Sequence, residues 1–310
     1  MFRINSSGPL VEAVPALIGY VPVKSVILVL LDEHQLPVAV MGVSVAAAGE
    51  LLGHLAQAAG RQGAVSGAVV VVDSDADDSS HIGLVADLDA ALAREGVRIF
   101  DAVIVDRIAA GGRWHCADGC GRSGALNDPA ASPLAVEMVL RGRSIYASRD
   151  ELLALVAVDE SRTASFDAAV RRIVPVDANK AVSVAVKAAQ ALAGGNQVSE
   201  ETLAAIAASL DYGEVRDRLL ALGVTQFADT AALLWAALAR VATGRFRAGA
   251  LALMGGAAYL RGDGPLASVA LDAALDEVPQ HRLSTLLRIC LDEGIPPDKL
   301  RTMLGELTAV

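Results

Sequence analysis

Between residues 67 and 73 the chain reads GAVVVVD, four valines in succession behind a glycine and an alanine. β-Branched side chains lose χ1 freedom in a helix and fit the pleated surface of a strand. Successive side chains on a strand point to opposite faces, so an unbroken apolar run has to be covered on both. Such a run calls for a central strand with packed layers above and below, the arrangement of an α/β domain. The flanking sequence supplies those layers. SVILVLL and LPVAVMGVSV read as strands joined in a hairpin across DEHQ. AGELLGHLAQAAGRQG reads as a helix ended by Gly63, and HIGLVADLDAALAREGV as another ended by Gly96. RIFDAVIVD is a further strand, after which RIAAGG turns the chain back into RWHC. That places Trp114 and His115 on a returning strand or at its end. Near the start, SGPLVEAVPALIGY puts Leu10, Val14 and Leu17 on one helical face.

From about Ser161 strand signals nearly vanish and helical periodicity runs to the end. The expected architecture is an α/β domain over 1–160, a mixed sheet with flanking helices, followed by an all-helical domain over 161–310. Two helix starts are plainly written. Ser132-Pro133 opens PLAVEMVLRG with serine as the cap, proline at the first helical position and Gly142 beyond the end. Ser148-Arg149-Asp150-Glu151 is a capping box ahead of LLALVA, which accounts for a serine and a glutamate that could be mistaken for catalytic groups. In LALMGGAAYLRGDGPLASVALDAALDEVP, from Leu251 to Pro279, Gly255, Ala267, Ala274 and Pro279 fall where a tetratricopeptide repeat needs small residues and a closing turn. A helical hairpin over 246–280 is expected. Its neighbours do not repeat the pattern, so an array is not.

Charge and composition exclude several functions. A formal net charge of -10 repels nucleic acid, and the arginines that could oppose it, Arg141/Arg143/Arg149 and Arg171/Arg172, lie beside acidic residues as solvated helix ends do. Aromatic residues make up only 4% of the chain, too few for a base-stacking platform. Hydrophobic residues make up 54%, which raises the question of a membrane span. Charges or prolines cut each apolar run before the roughly 18 residues that spanning takes. Lys24 and Asp32 bracket SVILVLL, and Arg247 and Arg261 bracket AGALALMGGAAYL. The first twenty residues lack the pattern of a secretory leader, and three cysteines do not make a disulfide framework. A cytoplasmic protein is expected.

The densest chemistry lies in GGRWHCADGCGRSG, which holds Trp114, His115, Cys116 and Cys120. Thiolates and imidazoles bind zinc, but a structural site takes four ligands. Cys116, Cys120 and His115 offer at most three, and His81 or Asp118 would have to be brought in by folding. No metal or cofactor is expected. A Cys-His catalytic pair meets a different obstacle, because adjacent His115 and Cys116 point to opposite faces of an extended segment. A tight turn anchored by Trp114 is the simpler reading. The second cluster is Asp73, Asp75, Asp77 and Asp78 after the valine strand, where α/β folds place metals and nucleotides. Its Asp-x-Asp spacing resembles the first motif of haloacid-dehalogenase-type phosphotransferases without that motif's flanking residues. An EF-hand lacks its glycine and its terminal glutamate here. An acidic loop leading into the helix at His81, whose positive end favours Asp and Ser, is expected instead. Glycine-rich nucleotide loops, nucleophile elbows and zinc-protease motifs are absent.

Five segments together resemble a family of actinobacterial proteins catalogued as a conserved domain of unknown function: LVEAVPALIGYVPVKSVILV, GRWHCADGCGRSG, SPLAVEMVLRGR, SRDELLALVA and RGDGPLASVALDAALDEVPQHRLSTLLRICLDEGIPP. The resemblance spans almost the whole chain and implies no activity. It implies a cysteine doublet after the first cysteine, whereas here Cys120 is followed by Gly121. The expected function is a non-catalytic protein-interaction or regulatory module, in which the helical domain offers a groove to a peptide or another protein. Self-association into a homo-oligomer is compatible with it. The alternative is a small-molecule-binding protein or enzyme with a pocket at the strand ends near Asp73 and the Trp114–Cys120 turn.

Overall fold

The computed structural model describes residues 6–77, 79–140, 144–173, 177–293 and 295–308, the last four of these by backbone alone. Gly142 as a helix stop, Arg141, Arg143 and Asp78 lie outside the described residues. Two compact units divide the chain, Met1–Glu151 and Leu152–Val310. The residue at 160, where the sequence suggested a boundary, is the first of a helix in the second unit.

The first unit runs α1 (Ser7–Ile18), β1 (Ser25–Leu31), β2 (Pro37–Ser44), α2 (Val45–Arg61), β3 (Ser66–Val72), α3 (Ile82–Arg94), β4 (Arg98–Val105), β5 (Arg113–Cys116), β6 (Ser123–Ala125) and α4 (Pro133–Leu140). α5 (Arg149–Ala154) straddles the division. The six strands form one sheet in the order β2-β1-β3-β4-β5-β6. β3 and β4 are parallel, joined by a crossover through α3, and the other neighbours are antiparallel, so the sheet is mixed as expected.

β3 holds the centre, and all seven of its residues are buried. Alternation sorts the side chains into two cores. Val69 and Val71 join Val26, Leu28, Leu30 and Ile104 under α2 and α3. Ala68, Val70 and Val72 join Ile27, Val29 and Leu31 under α1. On its far side α1 packs through Ala13 and Ala16 against Leu134 and Ala135 of α4, so this helix is itself an interior layer.

Two local differences from the sequence reading have simple causes. The strand expected to run through Val45 stops at Ser44, whose Oγ accepts the Ala47 N–H at 3.2 Å and starts α2. β6 was not foreseen: three exposed residues with a central glycine carry no strand pattern, and only pairing with β5 makes them one. The serine caps stand where they were read. Ser132 Oγ accepts the Ala135 N–H at 3.3 Å. Ser148 Oγ accepts the Glu151 N–H at 3.1 Å, and Glu151 reaches back to the Ala147 N–H.

The second unit contains α6 (Glu160–Val170), α7 (Ala178–Ala193), α8 (Glu200–Ser209), α9 (Gly213–Ala221), α10 (Ala228–Val241), α11 (Gly244–Leu260), α12 (Gly264–Glu277), α13 (Arg282–Asp292) and α14 (Pro297–Thr308). α11 and α12 form the expected hairpin, with Pro279 in the turn that follows. A Cβ on Gly255 would lie 2.8 Å from Leu271 Cγ, so the two helices touch at this glycine. Ala267 and Ala274 are fully buried. α11 is buried at every residue from Ala248 to Leu260 and packs against α8, α9, α10, α12, α13 and α14. α11 is therefore the enclosed half of the hairpin, whereas α12, packed against α11 and α13, keeps residues such as Asp272 and Asp276 exposed.

Candidate functional site

The turn between β4 and β5 brings the GGRWHC stretch back along the sheet. Asp106 Oδ1 accepts the N–H groups of Arg107 and Arg113 at 2.6 and 2.8 Å. Gly112 allows the close approach, since a Cβ there would lie 2.1 Å from the Arg107 carbonyl oxygen. In the register that follows, Trp114 stands opposite Val105, His115 opposite Ile104 and Cys116 opposite Val103. Val103 and Val105 face α1, whereas Ile104 belongs to the core under α2 and α3. Trp114 and Cys116 thus share one face and His115 takes the other, which rules out a His115–Cys116 catalytic pair in this arrangement.

The surroundings of these residues differ. The Trp114 ring lies across Gly124, its partner on β6, where a Cβ would come within 3.0 Å of Nε1. Gly8 of α1 flanks the same indole. His115 Nε2 is buried and has no hydrogen-bond partner among the described residues. Cys116 is buried, and that burial, followed by its hydrogen bond with Cys120, pushes its thiol up to about 11.

Cys120 is exposed at the tip of the β5–β6 hairpin. Asp118 Oδ1 accepts the Cys120 N–H at 3.0 Å, and Gly119 and Gly121 both take positive φ around it. The Sγ atoms of Cys116 and Cys120 and a carboxylate oxygen of Asp118 all lie within 4.8 Å of one another. Hydrogen bonding to Cys120 holds the Asp118 carboxyl below the usual carboxylate range. The sequence reading missed the second half of this cluster. Arg122 Nε donates to Cys120 Sγ at 3.2 Å, and its Nη2 to Asp101 Oδ1 at 3.5 Å. The Ser7 hydroxyl at the start of α1 donates to Asp101 Oδ2 at 2.7 Å.

The acidic loop after β3 is a separate place. The Asp73 N–H donates to the Val105 carbonyl, whereas the chain after Cys116 returns past Ala102. Asp73 and the cysteine turn accordingly lie towards opposite ends of β4. Asp73 Oδ2 is 2.8 Å from His81 Nε2, and its Oδ1 accepts the Asp75 N–H at 3.1 Å. That backbone bond is the main reason its carboxyl sits low. Asp75 accepts from Lys24 Nζ at 2.5 Å. Asp77 accepts from Ser79 and Ser80, whose hydrogen bonds pull it down to about 2. Each of these carboxylates is engaged by a neighbour. Among the described residues the acidic loop meets the start of α3 through the Asp73–His81 contact, and the helix has no acidic residue in its first turn.

Two clefts among the described residues follow neither cluster closely. A cleft of about 410 Å3 is lined by Gly111, Arg113, Trp114, Ser123, Gly124 and Ala125, and so includes Trp114 but not Asp73, Asp75, His115, Cys116 or Cys120. A second, of about 270 Å3, lies in the helical unit between α7 and α8. Among the described residues no helix is long and apolar enough to cross a membrane.

A mixed six-stranded sheet unit with a polar hairpin at one edge, followed by a bundle built on a buried helix, defines the class of this protein. The chain belongs to the DUF4192 family, a domain of unknown function whose model matches residues 8–298. No curated protein and no solved structure matches it.

Proposed function

We propose that this protein is a non-catalytic interaction module of a regulatory kind, whose helical unit receives an amphipathic helix from a partner protein. The observation that carries this reading is the groove between α7 and α8. Ala181, Val184, Ala205 and Ile206 give it an apolar floor, and Lys180, Glu201 and Thr202 stand at its rim. At about 270 Å3 it is smaller than the usual small-molecule pocket, about 300 Å3 and upward. Open between two helices, it suits a few apolar side chains spaced along one face of a helix, with rim charges to set direction.

Display of a random-peptide library against the immobilised protein tests the proposal. Enriched peptides are expected to carry apolar residues three and four apart and to lose binding to an Ala205→Arg variant, which fills the groove with a charged side chain. Peptides that bind the variant equally well, or a library with no enrichment, would overturn it. The second reading, a small-molecule site, is favoured by the cleft beside the Trp114 indole, where Arg113 supplies a charge. A ligand whose binding is lost in Arg113→Ala and kept in Ala205→Arg would favour it.

A further inference from the structure

We propose that Cys116 and Cys120 are a dithiol–disulfide pair, a reversible modification site that a hydroperoxide converts to an intrachain disulfide. The inference is independent of the helical groove. Reversible thiol sites join an exposed sulfur beside a positive charge to a second cysteine close enough to resolve it. All three elements are present at the hairpin tip. Cys120 is exposed and receives a hydrogen bond from the Arg122 guanidinium. Cys116 is buried below it. The two sulfurs lie within 4.8 Å, in a turn where two glycines with positive φ leave the backbone free of Cβ strain. The other free cysteine, Cys290, is in the helical unit and supplies an internal control.

The chemistry balances in two steps. The Cys120 thiolate attacks one peroxide oxygen, the O–O bond breaks, and the departing hydroxide takes a proton to leave as water; Cys120 becomes a sulfenic acid. The Cys116 sulfur then attacks the Cys120 sulfur, and the S–OH oxygen leaves as a second water with the Cys116 proton. Two thiols are oxidised and one peroxide is reduced to two waters. The resting structure guards against premature reaction, since burial and the hydrogen bond with Cys120 both keep the proton on Cys116. Oxidation of Cys120 supplies the electrophilic sulfur that the Cys116 sulfur attacks. The disulfide also takes from Arg122 its acceptor on Cys120, leaving the guanidinium to Asp101, which holds Ser7 at the start of α1.

The test uses the full-length reduced protein, treated with hydrogen peroxide, alkylated and mapped by peptide mass spectrometry. The peptide carrying both cysteines is expected to lose two hydrogens and escape alkylation, to regain both on treatment with dithiothreitol, and to leave Cys290 alkylated. In Cys116→Ser the sulfenic acid on Cys120 should persist and be captured by dimedone; in Cys120→Ser neither product should form. Arg122→Gln should slow disulfide formation roughly tenfold, the size of one charge-assisted hydrogen bond. Thermal melts identical to the unsubstituted protein would show that the hairpin variants fold. Free Cys116 and Cys120 under conditions that oxidise Cys290 would overturn the proposal, as would a sulfenic acid found on Cys116 alone. So would one zinc per chain that shields both thiols until a chelator removes it, which would make the turn a metal site.

Discussion

β3 and α11 hold the same position in their two units. Each lies at the centre of its unit, and each is buried along almost its whole length. They reach that position with opposite chemistry. A strand covered on both faces is filled with β-branched valines, which occupy volume on either side. A helix covered all round has to let six neighbouring helices approach, and α11 does so with GALALMGGAA, in which seven of the ten residues are alanine or glycine. The centre of the sheet is made by filling space, and the centre of the bundle by leaving it.

The largest effect that tests this comparison is a charge in β3. Val70 is fully buried in the core under α1, and Val70→Asp puts there a carboxylate with no cation beside it. The cost of an unpaired buried charge, several kcal/mol, is comparable to the whole stability of a domain, about 5–15 kcal/mol. The expected outcome is loss of the strand signal in circular dichroism with much of the helical signal retained. Loss of both together would show that the two centres are not separate.

Bulk, rather than charge, is what α11 should reject. A Cβ on Gly255 would meet Leu271 Cγ at 2.8 Å and the Ala267 carbonyl oxygen at 3.3 Å, so Gly255→Leu forces the hairpin apart. Overpacking costs about 1–3 kcal/mol, and Ala267→Leu, at a fully buried contact, should behave alike. A melting temperature several degrees lower is expected for both. The exposed ion pair of Asp272 with Arg288 is worth about 1 kcal/mol or less, and Arg288 keeps Asp292 as a partner. Asp272→Ala should therefore leave the melt nearly unchanged, and equal losses at Asp272 and Gly255 would sink the packing argument.

The same contrast explains what the sequence disclosed. Four valines announce a strand buried on two faces because residue type and burial agree. A helix buried all round has no polar face and hence no period, so the centrality of α11 was hidden even though Gly255, Ala267 and Ala274 were legible as a contact. β6 was invisible because its identity lies in its pairing. At the candidate site, Trp114, His115, Cys116 and Cys120 stood out by type, and alternation alone separated His115 from Cys116. Asp101 and Ser7 could not be read, since 94 residues separate them and only the packing of α1 on β4 joins them. Arg122 was two positions from Cys120 and its charge was the available signal. His81 and Lys24 engage Asp73 and Asp75 across eight and 51 residues, which turned a suggestive acidic run into carboxylates held by neighbouring side chains.

A pH scan gives a smaller, ordered effect. Cys116 is pushed from 9.0 up to about 11, chiefly by burial. Tyr259 of α11, whose hydroxyl donates to the carbonyls of Cys290 and Ile295, is pushed from 10.0 up to about 12 by burial. A raised folded-state value means that the native state binds the proton more tightly than the unfolded chain does. That contribution is complete below the unfolded value and is lost as pH climbs through the folded one. The sheet unit should weaken between about pH 9 and 11, and the helical unit between about pH 10 and 12. Tyr259→Phe should flatten the second window in denaturant melts followed by helical signal; an unchanged slope would mean that the phenol does not govern it.

The smallest expected difference compares one bond in two settings. Ser132 Oγ and Ser199 Oγ each accept the N–H three residues on, at 3.3 Å, at the starts of α4 and α8. Removing a serine cap costs typically about 1 kcal/mol, within a range of about 0.5–2. Ser132 is buried, so in Ser132→Ala the Ala135 N–H loses its partner where water cannot replace it, and the upper part of the range is expected. Ser199 is exposed, so in Ser199→Ala water takes over the Thr202 N–H and the lower part is expected. Urea melts of the two variants check the order, with the midpoint of Ser132→Ala displaced further. If Ser199→Ala were the more damaging, solvent would not be relieving the orphaned N–H, and the helical unit would depend on the start of α8 as a fixed wall of the groove that α8 forms with α7.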